Sequence, residues 1–301
     1  MLRLSKGWLR RRPWLFYLAG GLSFRKHVLQ MAWLGVNARM VKYGLPSFSR
    51  HIIGKAKKVF LKSHDEMLIV YDFDRPDGGL HPMFIYKFDY ECEVLDVIRQ
   101  HFKPCSLFID IGANIGMHSI RSLQAGNPQE RAVLAIEADS KTFSILALNI
   151  EANGCTAFVD TVKAVLWSES MPLHWKGSHS EHGHNHASAS VTLPGRTVLG
   201  TNLDSVLMAY GDQRPISIVK IDVEGAELEV LKGAKETLIR NMPALIVEIE
   251  DEYLVRNGAS SDTLKNYLYS LGYQHGQPIG NAAFGIQNNY IFVKEANVLN
   301  G

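Results

Sequence analysis

Cysteine is scarce in this chain, with three among 301 residues. Cys92, Cys105 and Cys155 lack the Cys-x-x-Cys spacing that is typical of zinc sites, and their odd number leaves one unpaired in any disulfide scheme. We therefore expect neither a zinc-binding domain nor a disulfide-stabilised secreted domain. A protein of this kind normally stays in a reducing compartment, so we predict a cytoplasmic location.

A long apolar run is also lacking near the N-terminus. Residues 13–22 are mostly apolar and follow the three arginines at 10–12, but this run is too short to cross a bilayer. A signal peptide begins in a similar way. Here, however, Arg25 and Lys26 follow closely and there is no convincing small-residue cleavage site. We expect neither a transmembrane helix nor secretion.

Acidic residues are absent from the first 62 positions, which hold 14 lysines or arginines. The remaining chain holds 18 basic and 30 acidic residues, so the two parts carry formal charges of +14 and −12. We predict a basic, largely helical extension over residues 1–60. Two interpretations stay open: packing on the chain's own domain or a partner, and peripheral contact with anionic lipid at the inner face of the membrane. Nucleic acid would attract the same charge, but no recognition motif supports it.

A short β-rich segment and one larger domain follow. Residues 61–90, with alternating segments at 59–61, 67–72 and 83–88, predict a small antiparallel sheet. Strands and helices then alternate over residues 91–297. Strands are predicted at 107–111, 132–137, 158–165, 216–223, 244–249 and 290–294, and helices at 91–102, 115–121, 141–152, 226–240 and 262–271. Such repeated strand-helix units predict a doubly wound α/β domain with a mostly parallel sheet.

One connection, residues 167–215, is far longer than an ordinary loop. Within it, residues 187–193 and 196–199 alternate like a hairpin around Pro194 and Gly195, and residues 203–209 predict a short helix. An insertion beside strand ends usually shapes a substrate pocket, so we expect this segment to contribute to substrate binding.

The motif FIDIGANIG at 108–116 carries the most information. An apolar strand leads through Asp110 into a glycine-containing turn and then a helix. The glycines allow a sharp turn and a close ligand approach at the carboxyl end of the strand. The Gly-x-Gly-x-x-Gly spacing of dinucleotide sites is missing, and Asp110 would repel a pyrophosphate, which disfavours a nicotinamide-dependent oxidoreductase. A cationic or zwitterionic cofactor is favoured. The predicted turn residues are Gly112, Ala113, Asn114 and Gly116.

Carboxylates recur at the ends of the predicted strands, where doubly wound sheets bind ligands. Asp110 ends the first strand, Glu137 the second, Asp222 and Glu224 the fourth, and Glu248 the fifth. Glu137 lies 25 residues after the first glycine of the turn, where a carboxylate accepts both hydroxyls of a ribose. A single acidic residue can be a solvated strand end, but recurrence at four strand ends indicates a binding site.

Together with FIDIGANIG, the segments AIEADSKTFSILALNIEANG at 135–154 and VKIDVEGAELEVLKGAKETL at 219–238 resemble the S-adenosylmethionine-dependent methyltransferases of the FkbM type. The resemblance implies a Rossmann-like class I methyltransferase sheet whose last strand is antiparallel. It also implies S-adenosylmethionine as cofactor and O-methylation of a sugar or another small hydroxylated molecule. The family's glycine loop corresponds to Asp110, Gly112, Asn114 and Gly116, its ribose acid to Glu137, and its Lys-x-Asp-x-Glu-Gly signature to Lys220, Asp222, Glu224 and Gly225.

The chemistry of a sulfonium cofactor agrees with these residues. Acidic side chains stabilise its positive charge, and the helix start and N–H groups near residues 112–116 are expected to hold the methionine carboxylate. Asp222 is expected to act as a general base, or with Glu224 or Glu248 to hold a divalent cation that lowers the pKa of the acceptor hydroxyl. In the structural alternative, Asp222 and Glu224 bond to neighbouring backbone N–H groups, with Lys220 as their counter-ion.

Histidines add two further candidates. His174 and the run at 179–186 invite a metal interpretation, but the spacing matches no established site, so a solvated loop is favoured and no metal is predicted there. His118 follows the glycine turn and is predicted to line the cofactor or acceptor pocket, or else to cap local structure. The competing function is a non-catalytic cofactor-binding module that docks on a membrane or partner through residues 1–60.

Overall fold

The computed structural model describes residues 51–53, 56–63, 66–73, 91–123, 127–176, 188–191, 195–274, 276–280 and 288–294. The chain divides into two units, residues 1–90 and 91–301. Most of the predicted N-terminal extension, the predicted strand at 83–88 and the histidine run at 179–186 lie outside the described residues. Within those ranges, no helix is long and apolar enough to span a membrane.

In the first unit, three strands form an antiparallel sheet in the order β1-β2-β3. The strands are β1 (His51–Ile53), β2 (Ala56–Ser63) and β3 (Glu66–Phe73). The predicted helix over residues 1–60 is therefore wrong at 51–53 and 56–58, whereas the strand segment predicted at 59–61 lies within β2. Ile52, Ile53, Val59 and Phe60 are β-branched or aromatic, and such residues favour a strand.

The second unit contains a central sheet of seven strands and a smaller sheet of four. Its strands are β4 (Ser106–Ile111), β5 (Arg131–Glu137), β6 (Val159–Lys163), β7 (Val165–Leu166), β8 (Pro172–Lys176), β9 (Ser188–Ser190), β10 (Arg196–Thr201), β11 (Ile216–Ile221), β12 (Ala244–Glu248), β13 (Gln277–Pro278) and β14 (Asn289–Phe292). The central order is β13-β14-β12-β11-β4-β5-β6. Strands β6, β5, β4, β11 and β12 are parallel, whereas β14 is antiparallel to both β12 and β13. This Rossmann-like arrangement confirms the predicted fold class, including the antiparallel last strand.

The helices of this unit begin and end close to the predicted positions, except that one predicted helix is divided and α7 was not predicted. They are α1 (Cys92–His101), α2 (Met117–Leu123), α3 (Ser140–Ala152), α4 (Leu203–Tyr210), α5 (Glu227–Lys232), α6 (Lys235–Asn241), α7 (Asp251–Leu254) and α8 (Ser261–Ser270). The single helix predicted at 226–240 is divided into α5 and α6. The carboxylate of Asp204 accepts the N–H groups of Glu236 and Thr237, both at 3.0 Å, and so caps a new helix start.

The insertion forms the smaller sheet, in the order β7-β10-β8-β9. The predicted hairpin between residues 187–193 and 196–199 is wrong, because β8 lies between β9 and β10 and is antiparallel to both. The sequence prediction missed β8 altogether. Its Trp175 and Leu173 pack with Trp167, Ala189 and Ala226 in a small apolar cluster. Burial of these large side chains gives β8 the central position in this sheet.

Candidate functional site

Polar side chains at the carboxyl ends of neighbouring central strands share one face of the sheet. Asp110 of β4 lies in register with Lys220 of β11. Asp222, two residues after Lys220, is hydrogen-bonded to Glu248 at the end of β12. The alternate positions on these strands, such as Ile109 and Ile221, belong to the apolar core on the opposite face. Strand alternation thus brings together the carboxylates that the sequence places at strand ends.

The glycine turn packs directly against β11. Gly112 has φ +75°, and a Cβ at this position would overlap the backbone carbonyl oxygen of Asp222. Gly116, with φ +89°, approaches Leu146 so closely that a Cβ would lie 2.6 Å from its Cδ1. Both positions therefore require glycine, for the backbone conformation and for space.

The N–H groups of this turn stabilise the turn itself. Those of Gly112 and Ala113 donate to the carbonyl oxygen of Ile136 at 2.9 and 3.0 Å, and that of Gly116 donates to the carbonyl oxygen of Ala113 at 2.8 Å. The N–H group of Asn114 donates to Oε2 of Glu137 at 2.9 Å. The expectation that these N–H groups hold a ligand carboxylate is therefore wrong for these four residues.

Glu137 is fixed at the end of β5 by two backbone donors. Its Oε2 accepts the N–H of Asn114, and its Oε1 accepts the N–H of Asp139 at 2.8 Å. Burial raises the pKa of Glu137 to about 7, while the hydrogen bonds from Asp139 and Asn114 oppose that rise. Each carboxylate oxygen has two lone-pair directions, so both oxygens can accept one further donor.

Lys220 and Glu248 both contact Asp222. The Nζ of Lys220 lies 2.6 Å from Oδ2 of Asp222, and Lys220 is 2% exposed. Burial lowers the pKa of Lys220, but the charges of Asp222, Glu91 and Asp110 outweigh it, and the net shift is upward. The charge of Asp222, followed by burial, raises the pKa of Glu248 far above its usual range. At neutral pH, Asp222 therefore lies between a charged ammonium group and a protonated carboxyl group.

Asp110 and His118 occupy a buried layer beside Lys220. Asp110 is 1% exposed, and its Oδ2 accepts the hydroxyl of Ser119 at 2.6 Å. Its buried Oδ1 has no hydrogen-bond partner among the described residues. The Nε2 of His118 lies 3.2 Å from Oε2 of Glu91, which precedes α1. His118 is thus part of a buried polar group that includes Glu91.

A cavity opens at these strand ends. Among the predicted site residues, Gly112, Asn114, Glu137, Asp222 and Glu224 line it. Further lining comes from Val165 and Leu166 of β7 and from Trp175 and Ala189 of the insertion. The other predicted site residues are not among the described lining residues of this cavity: Asp110, Ala113, Gly116, His118, Lys220 and Glu248. The structure therefore joins the glycine turn, Glu137 and the Asp222–Glu224 segment in one site, to which the insertion contributes a wall.

Glu227 was missed by the sequence prediction. It is 2% exposed in the first turn of α5, and its carboxylate accepts the N–H groups of Val223 and Gly225 at 3.1 Å. The structural alternative assigned these backbone contacts to Asp222 and Glu224. Glu227 makes them instead, while Lys220 is the counter-ion of Asp222, as that alternative expected.

The sequence prediction also gave no role to Asn257. Its Nδ2 donates to the carbonyl oxygen of Gly225 at 3.0 Å and to that of Ala189 at 3.2 Å. One side chain therefore ties the acidic segment to strand β9 of the insertion. An asparagine after a helix gives no signal of this kind, because its partners are remote in sequence.

The part of the chain that the structure describes contains no group of three or more His, Cys, Asp or Glu side chains arranged to hold a metal ion. His174, on β8, is exposed. The remaining histidines of the proposed metal-binding run lie outside the described residues.

Comparison with known proteins gives a family and two curated relatives. Residues 110–275 match the family described as Methyltransferase FkbM domain. Hexuronic acid methyltransferase AglP of Haloferax volcanii is 29% identical over 164 residues, covering 53% of this chain and 62% of AglP. The chain thus spans less than two thirds of AglP. Methyltransferase sdnD of Sordaria araneosa is 27% identical over 202 residues, covering 54% of this chain and 74% of sdnD.

Solved structures show similar folds at low identity. Methyltransferase FkbM from Methylobacillus flagellatus is 16% identical with a TM-score of 0.44, covering 70% of this chain and 54% of that one. TYW2 of M. jannaschii, in complex with AdoMet, is 13% identical with a TM-score of 0.41, covering 81% and 90%.

Proposed function

Because the chain belongs to the FkbM methyltransferase family, we propose that it transfers a methyl group from S-adenosylmethionine to a hydroxyl group of a small molecule or glycan. The observation that carries this proposal is the position of Glu137, a buried carboxylate fixed by two backbone N–H groups and facing the cavity. A ribose presents two adjacent hydroxyl donors, and the remaining lone pairs of this carboxylate fit them.

The rest of the cavity also suits this cofactor. Gly112 leaves its backbone bare where a Cβ would strike the carbonyl oxygen of Asp222, so the turn packs closely on the end of β11 and both residues line the same cavity. Asp222 and Glu224 add carboxylates to the wall, and negative charge stabilises a sulfonium. Asp110 supplies a further negative charge behind the turn, and its Oδ1 can accept a donor. When bound, the cofactor supplies an electrophilic methyl group on positively charged sulfur.

Asp222 is our candidate for the acceptor side. The ammonium of Lys220 and the protonated carboxyl of Glu248 both donate toward it. An ionised carboxylate at the cavity wall can orient an acceptor hydroxyl and take its proton as the oxygen attacks the methyl carbon. We propose that Asp222 is the base, that Lys220 is its counter-ion and that the protonated Glu248 donates a hydrogen bond to it. Glu224 adds negative charge. A divalent cation held by Asp222 with Glu224 or Glu248 is the alternative, and sensitivity to chelators distinguishes the two.

Transfer of labelled methyl from S-adenosylmethionine tests this function. The acceptor panel contains hexuronic acid glycosides, neutral glycosides and aliphatic alcohols, with matched amines and thiols as controls. We expect label on hydroxyl acceptors, in a reaction that Asp222→Asn suppresses. Label on amines or thiols alone would contradict O-methylation. Cofactor binding without transfer to any acceptor would favour the non-catalytic module. A role of residues 1–60 in membrane or partner docking stays a prediction, testable by their deletion.

A further inference from the structure

The segment from Asp222 to Ala226 has an unusual backbone conformation. Glu224 has φ +56° and Gly225 has φ +105°. For a residue with a Cβ, the left-handed region is sterically strained, so Glu224 stays there only if its surroundings hold it. Glu224 and its neighbours Asp222, Val223 and Ala226 all line the cavity. A strained segment therefore forms one wall of the site.

Glu227 holds this segment from the side of helix α5. Its Oε1 accepts the N–H of Val223 and that of Gly225, and its Oε2 also accepts the N–H of Gly225. These two donors flank Glu224, so their common acceptor fixes the backbone on both sides of the strained residue. The carboxylate is buried, and burial raises the pKa of Glu227 to about 7, while the hydrogen bonds from the backbone N–H groups oppose that rise and so favour the ionised form.

We propose that Glu227 is a positioning residue of the cofactor site: by holding Val223 and Gly225, it keeps Glu224 in the left-handed conformation and presents Asp222 and Glu224 to the cavity. This inference rests on the proposed function, because it assigns the cavity to S-adenosylmethionine. Glu227 is not among the residues that line the cavity, and its carboxylate bonds to the backbone of the segment 222–226. It therefore affects a bound cofactor only through the residues of that segment.

A second contact acts on the same segment. The Nδ2 of Asn257 donates to the carbonyl oxygen of Gly225, whereas the N–H group of Gly225, which belongs to the preceding peptide, donates to Glu227. Loss of Glu227 would remove the acceptor that the N–H groups of Val223 and Gly225 share, and with it the hydrogen bonds on either side of the strained Glu224.

The test uses the full chain with three variants. Glu227→Gln preserves the shape of the side chain and one acceptor oxygen, which can still serve both N–H groups. Glu227→Ala removes every acceptor. Glu229→Gln is the matched control, because Glu229 lies in the same helix and pairs with Lys232 instead of the loop. Two quantities are measured: amide hydrogen exchange in the peptide 219–229, and the Kd of S-adenosylhomocysteine at a temperature where circular dichroism shows each protein to be folded.

We expect Glu227→Ala to increase amide hydrogen exchange at Val223 and Gly225. We also expect it to raise the Kd of S-adenosylhomocysteine by about tenfold or more, because hydrogen bonds to a buried carboxylate are lost. Exchange in the β5 peptide 131–137 should stay unchanged. Glu227→Gln should recover most of the affinity, and Glu229→Gln should match the wild type. If the role of Glu227 were purely structural, Glu227→Ala would lower the thermal midpoint of unfolding but would leave the Kd of S-adenosylhomocysteine unchanged, so there would be no loss of affinity for Glu227→Gln to restore.

The proposal is overturned if Glu227→Ala is folded and binds S-adenosylhomocysteine like the wild type, or if exchange at Val223 and Gly225 is unchanged. If Glu227→Ala does not fold, Glu227→Leu takes its place, because leucine fills the space without offering an acceptor to the N–H groups of Val223 and Gly225. Wild-type affinity together with wild-type exchange in Glu227→Leu would refute the proposal. Failure of the wild type to bind S-adenosylhomocysteine would instead refute the proposed function, and the exchange measurement, which needs no ligand, would still show whether Glu227 holds the loop.

Discussion

Substitution of Gly112 by alanine tests the contact between the glycine turn and β11. A Cβ at Gly112 would overlap the backbone carbonyl oxygen of Asp222, which cannot rotate away as a flexible side chain could. Relief requires the turn and the end of β11 to separate. Two buried hydrogen bonds lie beside this contact: from Gly112 N to the oxygen of Ile136 at 2.9 Å, and from Asp222 N to the oxygen of Ile111 at 3.1 Å.

The expected cost has two parts. Alanine at φ +75° costs about 1–2 kcal/mol in backbone strain. Weakening the two buried hydrogen bonds adds about 1–3 kcal/mol in total. We therefore expect Gly112→Ala to lose about 2–5 kcal/mol of unfolding free energy, or roughly 10 °C in Tm for a domain of this size. The same displacement moves Asp222, so the affinity for S-adenosylhomocysteine should fall as well.

Gly154→Ala is the matched control, since Gly154 has φ +68° and no other atom lies within 4 Å of the place that its Cβ would occupy. It carries the backbone strain without the overlap and should lose about 1–2 kcal/mol, with the affinity for S-adenosylhomocysteine unchanged. Thermal unfolding and calorimetric titration of both variants give the comparison. Equal Tm values and equal affinities for the two variants would refute the close-contact argument.

Three further predictions concern the carboxylates. Asp222→Asn should lower turnover on a hydroxyl acceptor by about 10²–10⁴-fold, the usual contribution of a general base, while the Kd of S-adenosylhomocysteine stays within about threefold; unchanged turnover would remove Asp222 from the chemistry. Glu248→Gln should keep most of the wild-type activity at pH 7, because Glu248 is protonated there and the amide also donates toward Asp222; a loss as large as that of Asp222→Asn would show that Glu248 acts as an anion. The pKa of Glu137 is raised to about 7 by burial, and ribose hydroxyls favour its ionised form, so the affinity for S-adenosylhomocysteine should rise with pH up to about 7 and then level off. Glu137→Gln should bind more weakly and lose that part of the pH dependence, whereas the same pH profile in both proteins would assign the titration to another group such as Glu227.

The sequence predicts the central sheet well because its signals are local. The parallel strands β4, β5, β11 and β12 are mostly buried apolar runs. A period of two puts Asp110 and Lys220 on one face and Ile109 and Ile221 on the other. Glycine positions follow from the same logic, since a turn at a strand end needs residues that tolerate positive φ. The site carboxylates could therefore be placed at one edge before their distances were known.

The features that sequence patterns missed depend on remote partners. Alternation at residues 187–193 and 196–199 predicts strands but does not show that β8 lies between them. The N–H groups of the glycine turn bond to Ile136 and Glu137, on the neighbouring strand, which a local motif does not indicate. Glu227 has the appearance of an ordinary acidic residue in a first helical turn, and only the fold brings its carboxylate to Val223 and Gly225.

Calorimetric titration of the wild type with S-adenosylhomocysteine, repeated with Glu137→Ala, tests the central claim most directly. We predict one molecule bound per chain, and an affinity at least about tenfold weaker in the variant, because two charge-assisted hydrogen bonds to the ribose are lost. Absence of binding by the folded wild type, or equal affinity in the two proteins, would contradict the assignment of this cavity to S-adenosylmethionine.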